Sequence, residues 1–136
     1  MDLRRADLHT HTHCSDGRLP PAELVRRARS RGLQALAITD HDTVDGLAEG
    51  EEAGRRWGVE VVSGVELSVT VGTSEVHMLG YFFDPAHEGL RRHLDAFRTA
   101  RLQRAEAMVE RLQALGLPLD LAAVLRQARD GAVGRP

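Results

Sequence analysis

Short apolar runs alternate with helical patterns over the first part of the chain. Mostly apolar segments at 33–39, 59–62 and 76–83 have the length and composition of buried strands, and a thinner apolar segment leads into residues 7–9. Each segment ends in polar residues, as strands do where they enter loops. The pattern predicts four strands, the third of which leads towards Glu66.

Two helices are predicted between these strands. Segment 19–23 opens the first, because proline is pre-set for the first turn of a helix, and Gly32 is suited to end it. The second helix is predicted to be capped by Thr43 or Asp45 and to end near Trp57. Strands that alternate with helices favour an α/β fold of right-handed βαβ units, so we expect four parallel strands with one open edge.

The C-terminal part of the sequence has the pattern of a long amphipathic helix. Gly116 stops this helix, and Asp120 is suited to cap a short final helix that ends near Gly131. We therefore predict two parts, a strand-and-helix unit over residues 1–85 and a helical unit over 86–136. The apolar positions at helical spacing are Leu90, Leu94, Phe97, Ala105, Met108, Val109, Leu112 and Leu115.

The long helix also carries six arginines, which have two interpretations. They can guide a polyanionic substrate, or they can form a solvated face of salt bridges with acidic residues of the same helix. The second interpretation is favoured, because arginine stems cover apolar surface well. The six are Arg91, Arg92, Arg98, Arg101, Arg104 and Arg111.

The length and charge of the chain exclude several classes of protein. Its 136 residues suffice for one domain but fall short of the roughly 250 of a complete (β/α) barrel. A net charge of −2 supplies no field that would recruit nucleic acid or an anionic membrane, so stable nucleic-acid binding is not expected. The absence of an apolar leader or spanning run and the single Cys14 favour a cytoplasmic location without a membrane partner.

Acids and histidines recur where the predicted strands end. Because the carboxyl ends of parallel strands share one edge of a sheet, four separate segments can deliver imidazole and carboxylate groups to one place. Mixed His, Asp and Glu ligands favour divalent zinc, manganese or iron, with magnesium as a further candidate. The sequence thus predicts a hydrolytic metal centre, built from four segments: 7–11 with the adjoining turn 15–17, 39–42, 64–66 and 75–77.

Spacing suggests a role for each residue of the first two segments. His9 and His11 are two apart, so on an extended segment both imidazoles point to the same face. Asp16 follows a turn that can fold its carboxylate back onto that face. His41 is a predicted ligand at the end of the second strand, and Asp40 is either a further ligand or an acceptor that orients an imidazole. Asp40 and His41 are both candidate catalytic residues.

Glu66 and His77 complete the predicted cluster. Glu66 has two oxygens with which it can bridge two metal ions, and His77 lies early in the fourth strand, within reach of the same cluster. Two ions about 3.5–4 Å apart can clamp the attacking and leaving oxygens of a phosphoryl transfer and can turn bound water into a hydroxide nucleophile. A histidine considered alone is more often structural, so the prediction depends on the joint pattern.

Four sequence stretches, in order, resemble those of the polymerase and histidinol phosphatase (PHP) family of metal-dependent phosphoesterases. They are D-L-H-T-H-T-x-x-S-D-G, I-T-D-H-D-T, G-V-E-L-S and V-H-M-L-G-Y-F-F-D. The resemblance implies the first half of a distorted TIM-like (β/α)7 barrel, followed by the start of a helical insertion that overhangs the site. It also implies two to three metal ions and a phosphate clamp at Arg135, in a G-R-P segment. Relatives continue into a histidine-containing segment and an Asp-x-His motif.

Within the family, the chain most resembles stand-alone bacterial members that act on nucleotide or oligonucleotide phosphates. The resemblance therefore implies a hydrolase for phosphate monoesters or phosphodiesters of nucleotides and short oligonucleotides. Two alternatives stay open, an activity of the histidinol-phosphatase type and an inactive metal-binding fragment without the second half of the site. A homo-oligomer joined through the open sheet edge is a further expectation.

Overall fold

The structure, a computed structural model, describes residues 5–127. Strands and helices alternate as far as the third strand, which is followed directly by a fourth strand and then by two helices. The predicted end of the last helix near Gly131 lies outside the described residues. The elements are β1 (Ala6–Thr10), α1 (Pro21–Ser30), β2 (Ala35–Ile38), α2 (Leu47–Trp57), β3 (Glu60–Val71), β4 (Ser74–Tyr81), α3 (Glu88–Ala114) and α4 (Leu121–Gln127).

The four strands form one sheet in the order β1-β2-β3-β4. β1, β2 and β3 are parallel, but β4 runs antiparallel to β3, so the prediction of four parallel strands is wrong for the last one. The reason is the connection: only Gly72 and Thr73 separate the two strands, and a parallel return needs a crossover of a dozen or more residues. Gly72 has a φ of 63°, which suits the tight turn of a hairpin.

β3 is longer than the sequence pattern predicted, and this places Glu66 within the strand. The strand was expected to cover the apolar segment 59–62, whereas it continues to Val71. Antiparallel pairing with β4 extends from Gly64 to Val71, so the second half of β3 is held by the hairpin. Glu66 therefore projects from a hydrogen-bonded strand and not from a loop.

The first two helices largely follow the prediction. α1 begins at Pro21, and Gly32 lies just beyond its end with a φ of 76°. α2 ends at Trp57 as expected, but its N-cap is Gly46, without a side-chain cap bond. The predicted cap at Thr43 or Asp45 is wrong, because these two residues bond to each other in the loop: the Asp45 N–H donates to Thr43 Oγ1 at 3.2 Å.

A core of aliphatic side chains fixes the helices against the sheet. Val25 of α1, Leu36 and Ile38 of β2, Leu47 of α2 and Val65 of β3 are at most 2% exposed. Burying a side chain of this size stabilises the fold by about 1.5–3 kcal/mol. This core therefore joins α1 and α2 to the sheet whose carboxyl ends carry the candidate site.

Helix α3 shares this core through its first turns. Leu94 is 5% exposed and belongs to the same cluster, while Ala105 and Val109 are buried further along the helix. The predicted boundary between residues 1–85 and 86–136 stays a prediction. Asp120 accepts from the N–H groups of Ala122 and Ala123, so it caps α4 as expected.

The sheet curls so that its two edge strands approach each other. The Tyr81 hydroxyl of β4 donates to the carbonyl oxygen of Leu8 in β1 at 2.7 Å. The outer residues of both strands are largely exposed, and the pairing of such an edge with a second copy stays a prediction. Over residues 5–127, none of the helices combines the length and the apolar character needed to cross a membrane.

Candidate metal centre

A single carboxylate, that of Glu66, lies at the centre of four imidazoles. Its side chain is 7% exposed and comes from the middle of β3. Glu66 Oε2 lies 2.7 Å from His9 Nε2, 3.1 Å from His11 Nε2 and 3.9 Å from His41 Nδ1. Glu66 Oε1 lies 2.7 Å from His77 Nδ1. The two oxygens therefore face different histidines, as a bridging carboxylate requires.

Asp16 provides a second carboxylate on the other side of the histidines. Its Oδ1 lies 3.3 Å from His11 Nδ1, and its Oδ2 lies 3.5 Å from His41 Nε2. The turn that returns Asp16 is closed by the Gly17 N–H, which donates to the Thr12 carbonyl oxygen at 2.9 Å. A Cβ atom at Gly17 would lie 2.3 Å from the His11 carbonyl oxygen, so only glycine fits this turn.

The four imidazole rings form a continuous row. Ring centroids are 5.1 Å apart for His9 and His11, 4.7 Å for His11 and His41, and 5.0 Å for His41 and His77. Three groups of residues place their ligand atoms within 4.8 Å of one another. The groups overlap, because His11, His41 and Glu66 each belong to two of them. The groups are His9-His11-Glu66, His11-Asp16-His41 and His41-Glu66-His77.

The protonation states of the central pair fit a cation. Burial lowers the pKa of His41, against the opposing fields of Glu66 and Asp16. Burial alone would raise the pKa of Glu66, but hydrogen bonds from His9 and His77 outweigh it, so the pKa of Glu66 is lowered. The centre thus holds a neutral imidazole beside an ionised carboxylate, the forms in which these groups bind metal ions.

One buried nitrogen in the centre lacks a hydrogen-bond partner. His41 Nδ1 is the only buried side-chain nitrogen or oxygen without such a partner in the part of the chain that the structure describes. Buried polar atoms are nearly always paired, and an exception calls for a ligand. Together with the His, Asp and Glu donor set, this atom fits a borderline or hard divalent cation.

Asp40 lies next to this cluster but outside its three groups. It is 1% exposed and accepts three hydrogen bonds of 2.6 Å, from the Thr12 N–H, the Thr12 hydroxyl and the Ser15 hydroxyl. Ser15 Oγ in turn lies 3.4 Å from His11 Nδ1. Of the two roles left open for Asp40, this geometry favours that of a hydrogen-bond acceptor. Asp40 accepts from the loop after β1, and its link to an imidazole runs through the Ser15 hydroxyl.

Sequence reasoning missed the residues that hold this loop. Thr12 is fully buried, although it stands between histidines in the sequence. Its position alternates with His9 and His11, so the period-two pattern could have placed it on the opposite, inner side. His13 is exposed, in agreement with its interpretation as a loop residue. Burial raises the pKa of the Cys14 thiol, which argues against a nucleophile there.

The arginines of α3 form ion pairs with other elements. Arg98 lies 3.8 Å from Asp45, Arg101 pairs with the buried Asp42 at 2.6 Å, and Arg104 lies 3.6 Å from Glu75. The interpretation of a solvated face paired within the helix is therefore wrong for Arg101, whose side chain is only 18% exposed. Its partner is 59 residues away in sequence, so helical spacing could not reveal it.

A cleft of about 360 Å³ lies between α3 and the β3-β4 hairpin. Ser68, Thr70 and Glu75 line it from the hairpin, and Arg101 and Arg104 line it from the helix. The cleft is next to the metal centre, because Glu75 Oε1 lies 3.6 Å from His77 Nε2. Arg135, the predicted phosphate clamp, lies outside the described residues.

Comparison with known proteins shows the family to which the chain belongs. The model of the PHP domain matches residues 7–102, which include all seven predicted ligands. The chain is 44% identical over 115 residues to the 3',5'-nucleoside bisphosphate phosphatase of Chromobacterium violaceum, covering 85% of this chain and 40% of that protein. It is 39% identical over 131 residues to the 5'-3' exoribonuclease Rnm of Escherichia coli, covering 95% and 45%.

A solved structure gives the same result for the fold. A Bifidobacterium adolescentis protein assigned as a metal-dependent phosphoesterase superposes with a TM-score of 0.86 at 38% identity, covering 95% of this chain and 45% of that one. The chain belongs to the PHP domain family. It spans somewhat less than half the length of these relatives.

Proposed function

We propose that this chain carries the metal-binding half of a phosphoesterase that hydrolyses phosphate esters of nucleotides or short oligonucleotides. The observation that carries the proposal is the Glu66 carboxylate with its four imidazoles, one of which has an unpaired buried nitrogen. His41 Nδ1 is buried without a hydrogen-bond partner among the described residues, which leaves a place for a further ligand there.

The three overlapping groups suggest how the ligands are divided. His9, His11 and Glu66 would hold one ion, His41, Glu66 and His77 a second, and His11, Asp16 and His41 a third, with shared residues serving two neighbouring positions. Bound divalent ions supply Lewis acidity and lower the pKa of coordinated water. Manganese, zinc and iron all suit these ligands.

The chain's own side chains have separate tasks in this proposal. Glu66 stays ionised because of its hydrogen bonds from His9 and His77, and His41 stays neutral because it is buried. Asp40 holds the loop that carries Asp16. The adjacent cleft would accept the substrate beside the ions, with the half-exposed Arg104 as a cation that lines it.

Names of the relatives support the substrate class. One relative is named a nucleoside bisphosphate phosphatase and another an exoribonuclease, and both names imply phosphate groups on a ribose. The two activities differ in whether a monoester or a diester is cleaved. We infer a ribonucleotide phosphate as the substrate.

The test is metal binding followed by phosphate release, on the full 136-residue chain. Elemental analysis after gel filtration should give two to three ions per chain, and a Glu66→Ala variant should give fewer than one. His13→Ala is the matched control, because His13 is an exposed imidazole two residues from His11. Equal metal contents in all three proteins would overturn the assignment of the centre.

The substrate class is tested on the metal-loaded protein. Phosphate release from a nucleoside 3',5'-bisphosphate and shortening of a 5'-phosphorylated oligoribonucleotide are compared with release from histidinol phosphate. We expect the ribonucleotides to react and histidinol phosphate to be inert. Reaction of histidinol phosphate alone would overturn the substrate class while leaving the metal centre intact.

A further inference from the structure

Asp42 is buried beside the metal centre without belonging to any of its three groups. It follows His41 directly, is 3% exposed, and has a φ of 51° in the left-handed region. A residue other than glycine adopts this conformation only where its surroundings hold it. Such outliers concentrate at functional sites, so the contacts of Asp42 indicate what is being held.

Three hydrogen bonds tie the loop around His41 to β3. The Asp42 N–H donates to the Glu66 carbonyl oxygen at 3.0 Å, and the Glu66 N–H donates to the Asp40 carbonyl oxygen at 3.2 Å. Asp42 Oδ1 accepts from the Ser68 N–H at 2.8 Å. The two metal-facing side chains His41 and Glu66 thus project from backbone segments that are bonded to each other on both sides of His41.

The other oxygen of Asp42 accepts from a helix distant in sequence. Arg101 Nε of α3 donates to Asp42 Oδ2 at 2.6 Å, and Arg101 Nη2 donates to Ser68 Oγ at 2.6 Å. The guanidinium therefore bonds both to the loop after β2 and to β3. Without it, a carboxylate that is 1% exposed would lack its charge partner, and a buried unpaired charge is strongly unfavourable.

We propose that Asp42 and Arg101 are positioning residues that set His41 against Glu66 and thereby couple the seating of α3 to metal affinity. Neither residue contacts a metal in this proposal. The inference rests on the proposed function only for the role of the metal, since the placement of His41 can be measured without any ion. Because coupling is reciprocal, metal binding should in turn stabilise α3 on the sheet.

The first test uses metal-free protein and the histidine ring signals in NMR spectra at constant pH. Arg101→Met should shift the His41 and His77 ring signals. Arg98→Met is the matched control, because Arg98 is on the same helix and pairs with Asp45 on the same loop at a more exposed position. Unchanged His41 signals in folded Arg101→Met protein would overturn the proposal, whether or not the chain binds metal.

The second test measures affinity for Co²⁺ by competition with a chelator, together with the visible absorption spectrum of the Co²⁺ form. Arg101→Met should weaken binding at least tenfold and alter the spectrum, while Arg98→Met should stay within twofold of the parent. A purely structural role would lower the unfolding temperature but leave affinity and spectrum unchanged. If the parent chain itself binds no Co²⁺, the proposed function fails, and the NMR result alone decides the positioning role.

If Arg101→Met does not fold, both tests can be made on a more conservative variant. Arg101→Lys keeps the charge next to Asp42 but loses the fork that also bonds Ser68. It should shift the same ring signals and weaken Co²⁺ binding about threefold to tenfold. Parent-like signals and affinity in this variant would overturn the proposal.

Discussion

The two acids that flank His41 hold different parts of the molecule. Asp40 accepts only from neutral donors, the backbone and hydroxyl groups of the nearby loop after β1. Asp42 accepts from a guanidinium that comes from α3. One side of the histidine is thus fixed by neutral hydrogen bonds to the loop after β1 and the other by an ion pair with α3. The same residue type, on either side of one ligand, ties the centre to two separate regions.

This difference indicates how each side should fail. Replacing one donor of a buried carboxylate removes a single hydrogen bond, whereas replacing the carboxylate leaves every donor unsatisfied. Each unsatisfied donor costs about 1–3 kcal/mol. The ion pair is lost at once when either charge is removed, because the remaining charge stays buried. We therefore expect the loop side to respond gradually to substitutions and the helix side to respond steeply.

The largest effect should come from removing the group that both sides serve. Glu66→Ala deletes the carboxylate faced by His9, His11, His41 and His77, which belongs to two of the three ligand groups, so the metal content should fall to fewer than one ion per chain. The helices do not depend on this side chain, and far-ultraviolet circular dichroism should keep the helical signal. Elemental analysis with circular dichroism checks both statements, and global unfolding would mark Glu66 as a structural residue instead.

Asp40→Ala should have the next largest effect and act mainly on stability. It leaves the Thr12 N–H and hydroxyl and the Ser15 hydroxyl without their acceptor, for a loss of about 3–5 kcal/mol. Urea unfolding of the metal-free protein measures it. Asp45→Ala, at a largely exposed carboxylate of the same loop as Asp40, should change stability by less than about 0.5 kcal/mol. Equal losses in both variants would contradict the role of Asp40.

Acidification should destabilise the metal-free protein through His41 and Glu66. The pKa of His41 is lowered in the fold, so the unfolded chain binds more protons and stability is lost as pH falls through about 6.5. The lowered pKa of Glu66 adds a loss as pH falls below about 4.5. Each proton contributes at most about 1.4 kcal/mol per pH unit.

Urea unfolding at several pH values checks this profile. His41→Asn should flatten the profile just below pH 6.5, while the loss below pH 4.5 remains. A profile that stays unchanged in this variant would show that the burial of His41 does not control stability in that range.

The smallest effect is expected for Ser15→Ala. This change removes one of the three bonds to Asp40 and the link from Asp40 to His11. Stability should fall by about 1 kcal/mol, and metal affinity should fall only a few-fold. Urea unfolding and Co²⁺ competition measure the two quantities. A loss as large as that of Asp40→Ala would show that the loop side fails as a unit.

Much of the fold follows from local signals in the sequence. Pro21 and Gly32 bound α1, Trp57 ends α2, and Gly116 lies just after the end of α3, because each acts within one turn of its helix. The direction of β4 was predicted wrongly, although Gly72 gave a hairpin signal two residues before the strand begins. The prediction of a parallel strand followed only the alternating pattern of the preceding strands and did not take Gly72 into account.

The row of histidines was predictable from local spacing in the sequence, whereas the residues that hold this row in place were not. His9 and His11 share a face through simple alternation, and His41 and Glu66 lie at neighbouring positions of parallel strands. The pairing of Asp42 with Arg101 depends on where α3 lies in space, and no periodicity links two residues 59 positions apart. In the sequence Thr12 stands between two histidines and has no feature that marks it as a structural residue. Its burial in the structure shows that role.

The contact between the Tyr81 hydroxyl and β1 gives the protein an intrinsic fluorescence signal close to the histidine row. Tyr81 is the only tyrosine, and its hydroxyl bonds to the residue before His9. Trp57 is the only tryptophan and ends α2, just before the amino end of β3, whereas the histidine row lies towards the carboxyl ends of β1 and β2. Light emitted by these two rings therefore reports on different positions along the sheet. Adding a divalent ion should change tyrosine emission and leave tryptophan emission constant, which a fluorimeter can follow without any label.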